Sequence, residues 1–244
     1  GRLAKVTDAS GTHEFKYDEL GRVVKDKKTV DSNGYEFTRT YDSMGRVRTL
    51  TYPDTEVVTY EYKLSGEAEM GDVQKISGLK SSVTTDYLKD ADYNASGQLT
   101  HVTYGNDVTS EYTYDADTLR LEKILTKKSD TTTKLQELDY TFDNNGNVTA
   151  IDDTVNSMSQ DFIYDDLNRL TQAIGSAYGT QDFVYDSIGN FTDKDGQLMT
   201  YGEGSAGPQA VTSISGSVRP SYCPKLVADC TFTYDANGNM TDRG

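Results

Sequence analysis

The chain has 244 residues, 35% of them hydrophobic, with 18 tyrosines, 7 phenylalanines and no tryptophan, so any core is aromatic and thin. A formal net charge of −15, from 24 Lys and Arg against 39 Asp and Glu, repels phosphate backbones and anionic lipid and argues against nucleic acid and membrane surfaces as partners. No apolar run approaches the ~20 residues of a membrane span, and the opening Gly1-Arg2-Leu3-Ala4-Lys5 does not read as a secretory leader.

In chain order, the dominant signal is one phrase repeated eight times: aromatic, Asp or Asn, two variable residues, usually Gly, a polar residue, an apolar residue. Gly1-Arg2-Leu3 reads as the tail of a copy. Tyr17-Asp18-Glu19-Leu20-Gly21-Arg22-Val23 and Tyr41-Asp42-Ser43-Met44-Gly45-Arg46-Val47 follow. Later copies start at Tyr93 (with Gly97), Tyr114 (with Asp115), Phe142 (with Asp143 and Gly146), Tyr164 (with Asp165), Tyr185 (with Asp186 and Gly189) and Tyr234 (with Asp235 and Gly238). A second aromatic usually stands two residues earlier, as Phe15 does before Tyr17, and side chains two apart share one face of a strand. The Asp can bond backbone N–H groups two residues on, and Gly three residues later accepts the positive φ of a tight hairpin with a bulge. Where Gly is missing, Asn168 substitutes, the side chain that best tolerates the left-handed region. Each phrase therefore predicts strand, turn and return strand.

The return strands carry apolar pairs three apart, such as Val47 with Leu50, Leu99 with Val102 and Val148 with Ile151. Amid Thr-rich surroundings this spacing predicts a bulged strand, or one apolar on both faces, rather than helix. The expectation is all-β: an array of antiparallel hairpins with almost no helix, forming a single repeat array over 1–244. Two intervals between phrases are about double the rest. The first holds a degenerate copy at Tyr60-Glu61-Tyr62-Lys63-Leu64-Ser65-Gly66, and the second a bare turn at Asp195-Gly196-Gln197-Leu198. About ten two-stranded units result. Gly and Ser content marks Ser65 to Lys80 and Tyr201 to Ser217 as loops, and residues 218–230 as a loop insert. The insert carries the two cysteines, Cys223 and Cys230, for which a disulfide closing this small loop is the favoured reading.

Chemistry is sparse. Adjacent carboxylates such as Asp152 with Asp153 point to opposite faces of a strand, so no catalytic residue is assigned. The turns at Asp143, Asp186 and Asp235 lack the acidic density of a calcium loop, and His13 and His101 are remote from the cysteines, so no metal or cofactor is expected. Asn94, Asn147, Asn190 and Asn239 open N-glycosylation-type triplets, explained by the phrase running into Thr-rich strands.

Together with longer strings such as Tyr52-Pro53-Asp54, Tyr114-Asp115-Ala116-Asp117-Thr118-Leu119-Arg120-Leu121 and Leu135-Gln136-Glu137-Leu138-Asp139-Tyr140, the phrases resemble the YD-repeat, or Rhs-repeat, family. That family includes the shells of bacterial polymorphic toxins, the cocoon of Tc toxin complexes and, more distantly, teneurins. The resemblance implies a spiralling sheet forming a hollow wall around a toxin polypeptide. It also implies a secreted or cell-surface bacterial setting, with flanking repeats and an enclosed toxin as partners. Nothing in the chain matches the family's self-cleaving protease segment, so neither protease nor toxin activity is assigned. The competing readings are an adhesion module whose exposed tyrosines bind a glycan or protein, and a fibre assembling through unpaired sheet edges. A shell curls and buries Tyr between strands; a binder displays it.

Overall fold

The computed structural model describes residues 1–63, 71–130, 132–216 and 230–243. The chain divides into two compact units, Gly1–Glu137 and Leu138–Gly244. The first holds β1 (Lys5–Asp8), β2 (Gly11–Tyr17), β3 (Val23–Val30), β4 (Asn33–Tyr41), β5 (Val47–Thr51), β6 (Val57–Tyr62), β7 (Val73–Lys80), β8 (Val83–Tyr93), β9 (Leu99–Tyr104), β10 (Thr109–Tyr114) and β11 (Leu121–Lys127). After β12 (Lys134–Phe142), which crosses the division, come β13 (Val148–Asp153), β14 (Met158–Tyr164), β15 (Leu170–Gly175), β16 (Gly179–Tyr185), β17 (Phe191–Lys194), β18 (Gln197–Tyr201), β19 (Val211–Gly216), β20 (Cys230–Tyr234) and β21 (Met240–Arg243). Among the described residues there is no helix. The fold is all-β, as the phrase predicts.

From β1 to β11, and again from β12 to β21, each strand pairs antiparallel with the next in sequence. Strand direction alternates, so within each unit every turn leaving an even-numbered strand lies on one edge of the sheet. The phrases occupy that edge. The opposite edge carries turns of varied length, including two-residue ones with both residues at positive φ: Asp31 and Ser32 (48° and 68°), Ser81 and Ser82 (49° and 65°), Asp195 and Gly196 (51° and 79°). Such turns match the right-handed twist of the flanking strands.

The spacing of three has a local cause. Tyr41 faces Val47 while its neighbour Thr40 faces Thr49, leaving Arg48 as an extra residue in the return strand. The same one-residue shift occurs where Tyr17 meets Val23, Tyr114 meets Leu121, Phe142 meets Val148, Tyr164 meets Leu170, Tyr185 meets Phe191 and Tyr234 meets Met240. One inserted residue reverses the alternation of side chains, so residues three apart, rather than two, come to one face.

Among the described residues, strands contact only their sequence neighbours, so no second layer of strands covers either face within a unit. The interior is accordingly thin. Among the described residues the buried apolar side chains are Val58, Ala91, Val102, Ala173, Ile214, Cys230 and Phe232. The one cluster joins Ile214, Cys230 and Phe232, with Met199, Val211 and Tyr234 packed against it. Cys230 has no solvent exposure and is disulfide-bonded, whereas Cys223 and most of the 218–230 insert lie outside the described residues.

Three expectations need correcting. Val73–Lys80 is strand β7, not loop, although Leu64 to Met70 lie outside the described residues. Among the described residues of the second expected loop only Gly202 to Ala210 is irregular, since Tyr201 ends β18 and Val211–Gly216 forms β19, while Ser217 lies outside the described residues. The hidden copy in the second long interval is centred on Tyr201, which shows the phrase's register shift opposite Val211, while Asp195-Gly196 turns at the other edge. Composition misled because Gly and Ser in these segments pair through backbone groups, which the side chain does not reveal.

Candidate functional site

Within one phrase, the turn is built on its acid. In the second copy the Gly45 N–H donates to the Asp42 carbonyl at 3.1 Å, and the Asp42 N–H donates to the Arg46 carbonyl at 2.9 Å. Gly45 sits at φ 85°, the left-handed position after a tight turn. The Asp42 carboxylate accepts the N–H groups of Met44 and Arg46, both at 2.9 Å, and the Arg46 Nε at 2.7 Å. Asp143, Asp165, Asp186 and Asp235 repeat the pattern, with Asn147, Arg169, Asn190 and Asn239 closing the carboxylate. Gly97, Gly146, Gly189 and Gly238 take Gly45's place, all at positive φ, and Asn168 does so at 59°. In the Tyr114 copy the turn is one residue longer, and Leu119 adopts the left-handed conformation at 58°. Bonds from Asn147, and from backbone N–H groups, hold the Asp143 carboxyl below its ordinary range; for Asp165 the largest cause is Arg169.

The tyrosines couple one repeat to the next. Tyr17 donates its hydroxyl to the Leu3 carbonyl at 2.7 Å, Tyr41 to Val23 at 2.7 Å, Tyr62 to Val47 at 2.7 Å and Tyr93 to Val73 at 3.1 Å. Tyr114 reaches Leu99 at 2.9 Å, Tyr164 Val148 at 2.8 Å, Tyr185 Leu170 at 2.9 Å and Tyr234 Val211 at 2.8 Å. For most copies the acceptor is the apolar residue that closes the preceding phrase. The bulge frees this carbonyl from the ladder, and the hydroxyl satisfies it. Tyr62 holds its place although its copy lost the Asp; the Lys63 N–H donates to the Asp72 carbonyl instead.

The polar residue before the closing apolar one makes a second link, which the sequence reading left as merely polar. Arg22 reaches the Asp42 carbonyl at 3.5 Å and lies over the Tyr41 ring, 4.5 Å from its centroid. Arg46 stacks on Tyr62 at 4.1 Å and Arg169 on Tyr185 at 4.6 Å. Where the residue is Asn or Gln, it bridges to the following turn by hydrogen bonds alone: Asn147 to Asn168 at 2.8 Å, Asn190 to the Pro208 carbonyl at 3.0 Å, and Gln98 to the Leu119 carbonyl at 2.8 Å. These bonds occupy the side-chain amides of Asn147 and Asn190. Their triplets therefore serve the turn edge. The signal that could have exposed the Arg role was its co-occurrence with a tyrosine opening the next copy.

Among the described residues, no group of three His, Cys, Asp or Glu side chains is placed to hold a metal ion, and no helix is long and apolar enough to cross a membrane. His13 stacks on Phe15 at 4.1 Å and stands 3.5 Å from Asp26, while His101 contacts the Thr103 hydroxyl at 3.1 Å. The phrase residues thus assemble a turn edge, and its chemistry is mutual attachment of hairpins.

The chain is thus a hairpin array whose repeats are tied by a tyrosine, an acid and a glycine in fixed register. Residues 1–28 match the family model described as RHS Repeat. No curated protein sequence matches the chain. Among solved structures it is similar to the TcdB2-TccC3 crystal structure, with a TM-score of 0.69 and 17% identity over 98% of this chain and 16% of that one. TcdB2-TccC3 without its hypervariable C-terminal region gives 0.65 at 22% identity, covering 96% and 12%, respectively. The Photorhabdus luminescens Tc holotoxin pore gives 0.59 at 16%, covering 98% and 16%. At these identities the likeness is one of fold, and the chain spans under a sixth or about a sixth of each of these chains.

Proposed function

We propose that the chain is a non-catalytic wall segment of a bacterial toxin shell, whose hairpins continue into flanking repeats and help enclose a toxin polypeptide. The observation that carries this reading is the ladder of tyrosine hydroxyls, which ties each hairpin to the one before it and leaves the phrase residues occupied. An enclosing wall needs that continuity; a catalyst would need convergent groups left unpaired. The fold shared with the Tc toxin structures supports the same reading. A secreted or cell-surface setting follows from it, and the disulfide of buried Cys230 is assigned to Cys223 on the same grounds.

The test uses the full-length protein that contains these repeats. Electron microscopy is expected to show a hollow particle, and limited proteolysis to leave an internal polypeptide protected until the wall is unfolded. An open rod with every segment equally cleavable would favour the fibre, and a monomeric stalk the adhesion module.

A further inference from the structure

Strand β8 departs from the repeat. Among the described pairings the register shifts only at the phrase aromatics, except in β8, which shifts twice more, leaving Tyr87 extra against β7 and Lys89 extra against β9. Bulges of this kind re-aim side chains. The Tyr87 ring lies over Gly78, where a Cβ would stand 2.7 Å from it, and its hydroxyl donates to the Glu56 carboxylate. Tyr104 ends β9, and its backbone N–H donates to the Val108 carbonyl at 2.9 Å. The Tyr87 hydroxyl is anchored and the two residues remain 45% and 38% exposed, so two aromatic surfaces face solvent, one of them held in place before any ligand binds.

Between them lies an open cleft of about 500 Å³, a size typical of small-ligand sites, to which Asp86 and Asn106 contribute polar groups. Gly105 forms part of its lining; its N–H donates to the Tyr87 carbonyl at 3.0 Å, and the Asp86 carbonyl leaves no room there for a side chain. Three carboxylates around the cleft are paired with lysines, Asp86 with Lys75 at 3.1 Å, Asp107 with Lys89 at 2.5 Å and Asp54 with Lys80 at 2.6 Å, while Glu56 accepts the Tyr87 hydroxyl. Despite the chain's net charge of −15, most of the charge around the cleft is thus paired or hydrogen-bonded rather than aimed at a ligand.

The geometry points to a neutral saccharide as its ligand, one pyranose face stacked on Tyr87 or Tyr104 and its hydroxyls bonded to Asp86 and Asn106. This assignment does not depend on the shell reading. The 244-residue chain is titrated with cellohexaose, maltohexaose and chitohexaose, followed by saturation-transfer NMR and tyrosine fluorescence. Hexalysine and a heparin hexasaccharide serve as charged comparators. At least one neutral hexasaccharide is expected to bind, about tenfold more weakly to Tyr104→Ala and several-fold more weakly to Asn106→Ala. Asn106 is in an exposed turn, so that variant tests the site even if Tyr104→Ala loses its fold by circular dichroism. No neutral sugar bound at about 10 mM, binding unchanged in Asn106→Ala and folded Tyr104→Ala, or tighter binding of either charged comparator would overturn the assignment.

Discussion

At the scale of single residues, the turn glycines and the tyrosine hydroxyls make separable contributions. Gly189 sits at φ 94° with open space where a Cβ would go, so Gly189→Val isolates backbone strain from crowding. The urea midpoint of that variant should report a loss of about 1 to 2 kcal/mol. Gly207 has neither positive φ nor a near neighbour, and Gly207→Ala should change stability little. Equal shifts at both positions would remove the turn argument. Tyr41→Phe deletes the bond to Val23 while keeping the ring under Arg22, and a loss of about 0.5 to 1.5 kcal/mol is expected in the same assay. The acids carry a pH signature. Asp143, Asp165 and Asp235 are each held below the ordinary carboxylate value by their Asn or Arg partner and by backbone N–H groups, and Asp130 is pushed down to about 2 by Thr133 and Thr132. A folded-state pKa below the unfolded one means that their stabilisation is complete above about pH 5 and disappears as pH falls toward 2. Urea midpoints measured across that window should fall with acid, and less steeply in Asp143→Asn. The aromatic, the acid and the glycine of each phrase were legible in the sequence because local backbone geometry dictates all three. The arginine stacked on the next repeat's tyrosine was not, because that partner is set by register across strands.

Elements here are defined by one inserted residue per hairpin. Thr171 is the extra residue between the pairs Tyr164 with Leu170 and Ile163 with Gln172, and it allows Leu170 and buried Ala173 to serve one face. Deleting Thr171 should reverse the facing of β15 beyond Leu170 and cost more than about 2 kcal/mol. Hydrogen exchange is the appropriate measurement. Amides of β14 to β16 should lose protection first, and a uniform loss across the chain would argue that the bulge has no local role. In other return strands the apolar pairs three apart predict either such a bulge or a strand apolar on both faces, and the register shows the bulge. The same reading failed for β7 and β19, whose Gly and Ser content resembles loop while their backbone groups pair as strand.

For the molecule as a whole, thin burial and uneven charge dominate. Residues 138–244 carry 15 acidic and 5 basic side chains, against 24 and 19 in residues 1–137. In the first unit one row of cross-strand neighbours alternates in sign, with Lys5 opposite Glu14, Glu14 opposite Lys27 and Lys27 opposite Glu36, although Lys16 stands opposite Lys25. In the second, Asp139 stands opposite Asp152, a like-charge pair that destabilises a sheet. Added salt should therefore stabilise the second unit more than the first, since a Debye length shrinking from ~30 Å at 0.01 M to ~10 Å at 0.1 M screens exposed repulsion. Exchange protection in β13 to β16 should rise with salt while that of β2 to β4 stays flat or falls. Parallel behaviour of the two groups would show that the imbalance is not what limits the second unit.

The sequence by itself determined the all-β class, the hairpin period and the placement of Asp18, Asp42, Asp165 and Asp235 at turns, because these depend on φ preferences and hydrogen bonds within a few residues. Only the tertiary structure decided which carbonyl each tyrosine hydroxyl meets, which turn each Arg or Asn bridges, that Tyr201 carries the displaced copy, and that Tyr87 and Tyr104 flank a cleft. The tyrosine hydroxyl bonds join residues 14 to 23 positions apart, and the register of three successive strands sets them; no single stretch of chain encodes that register alone.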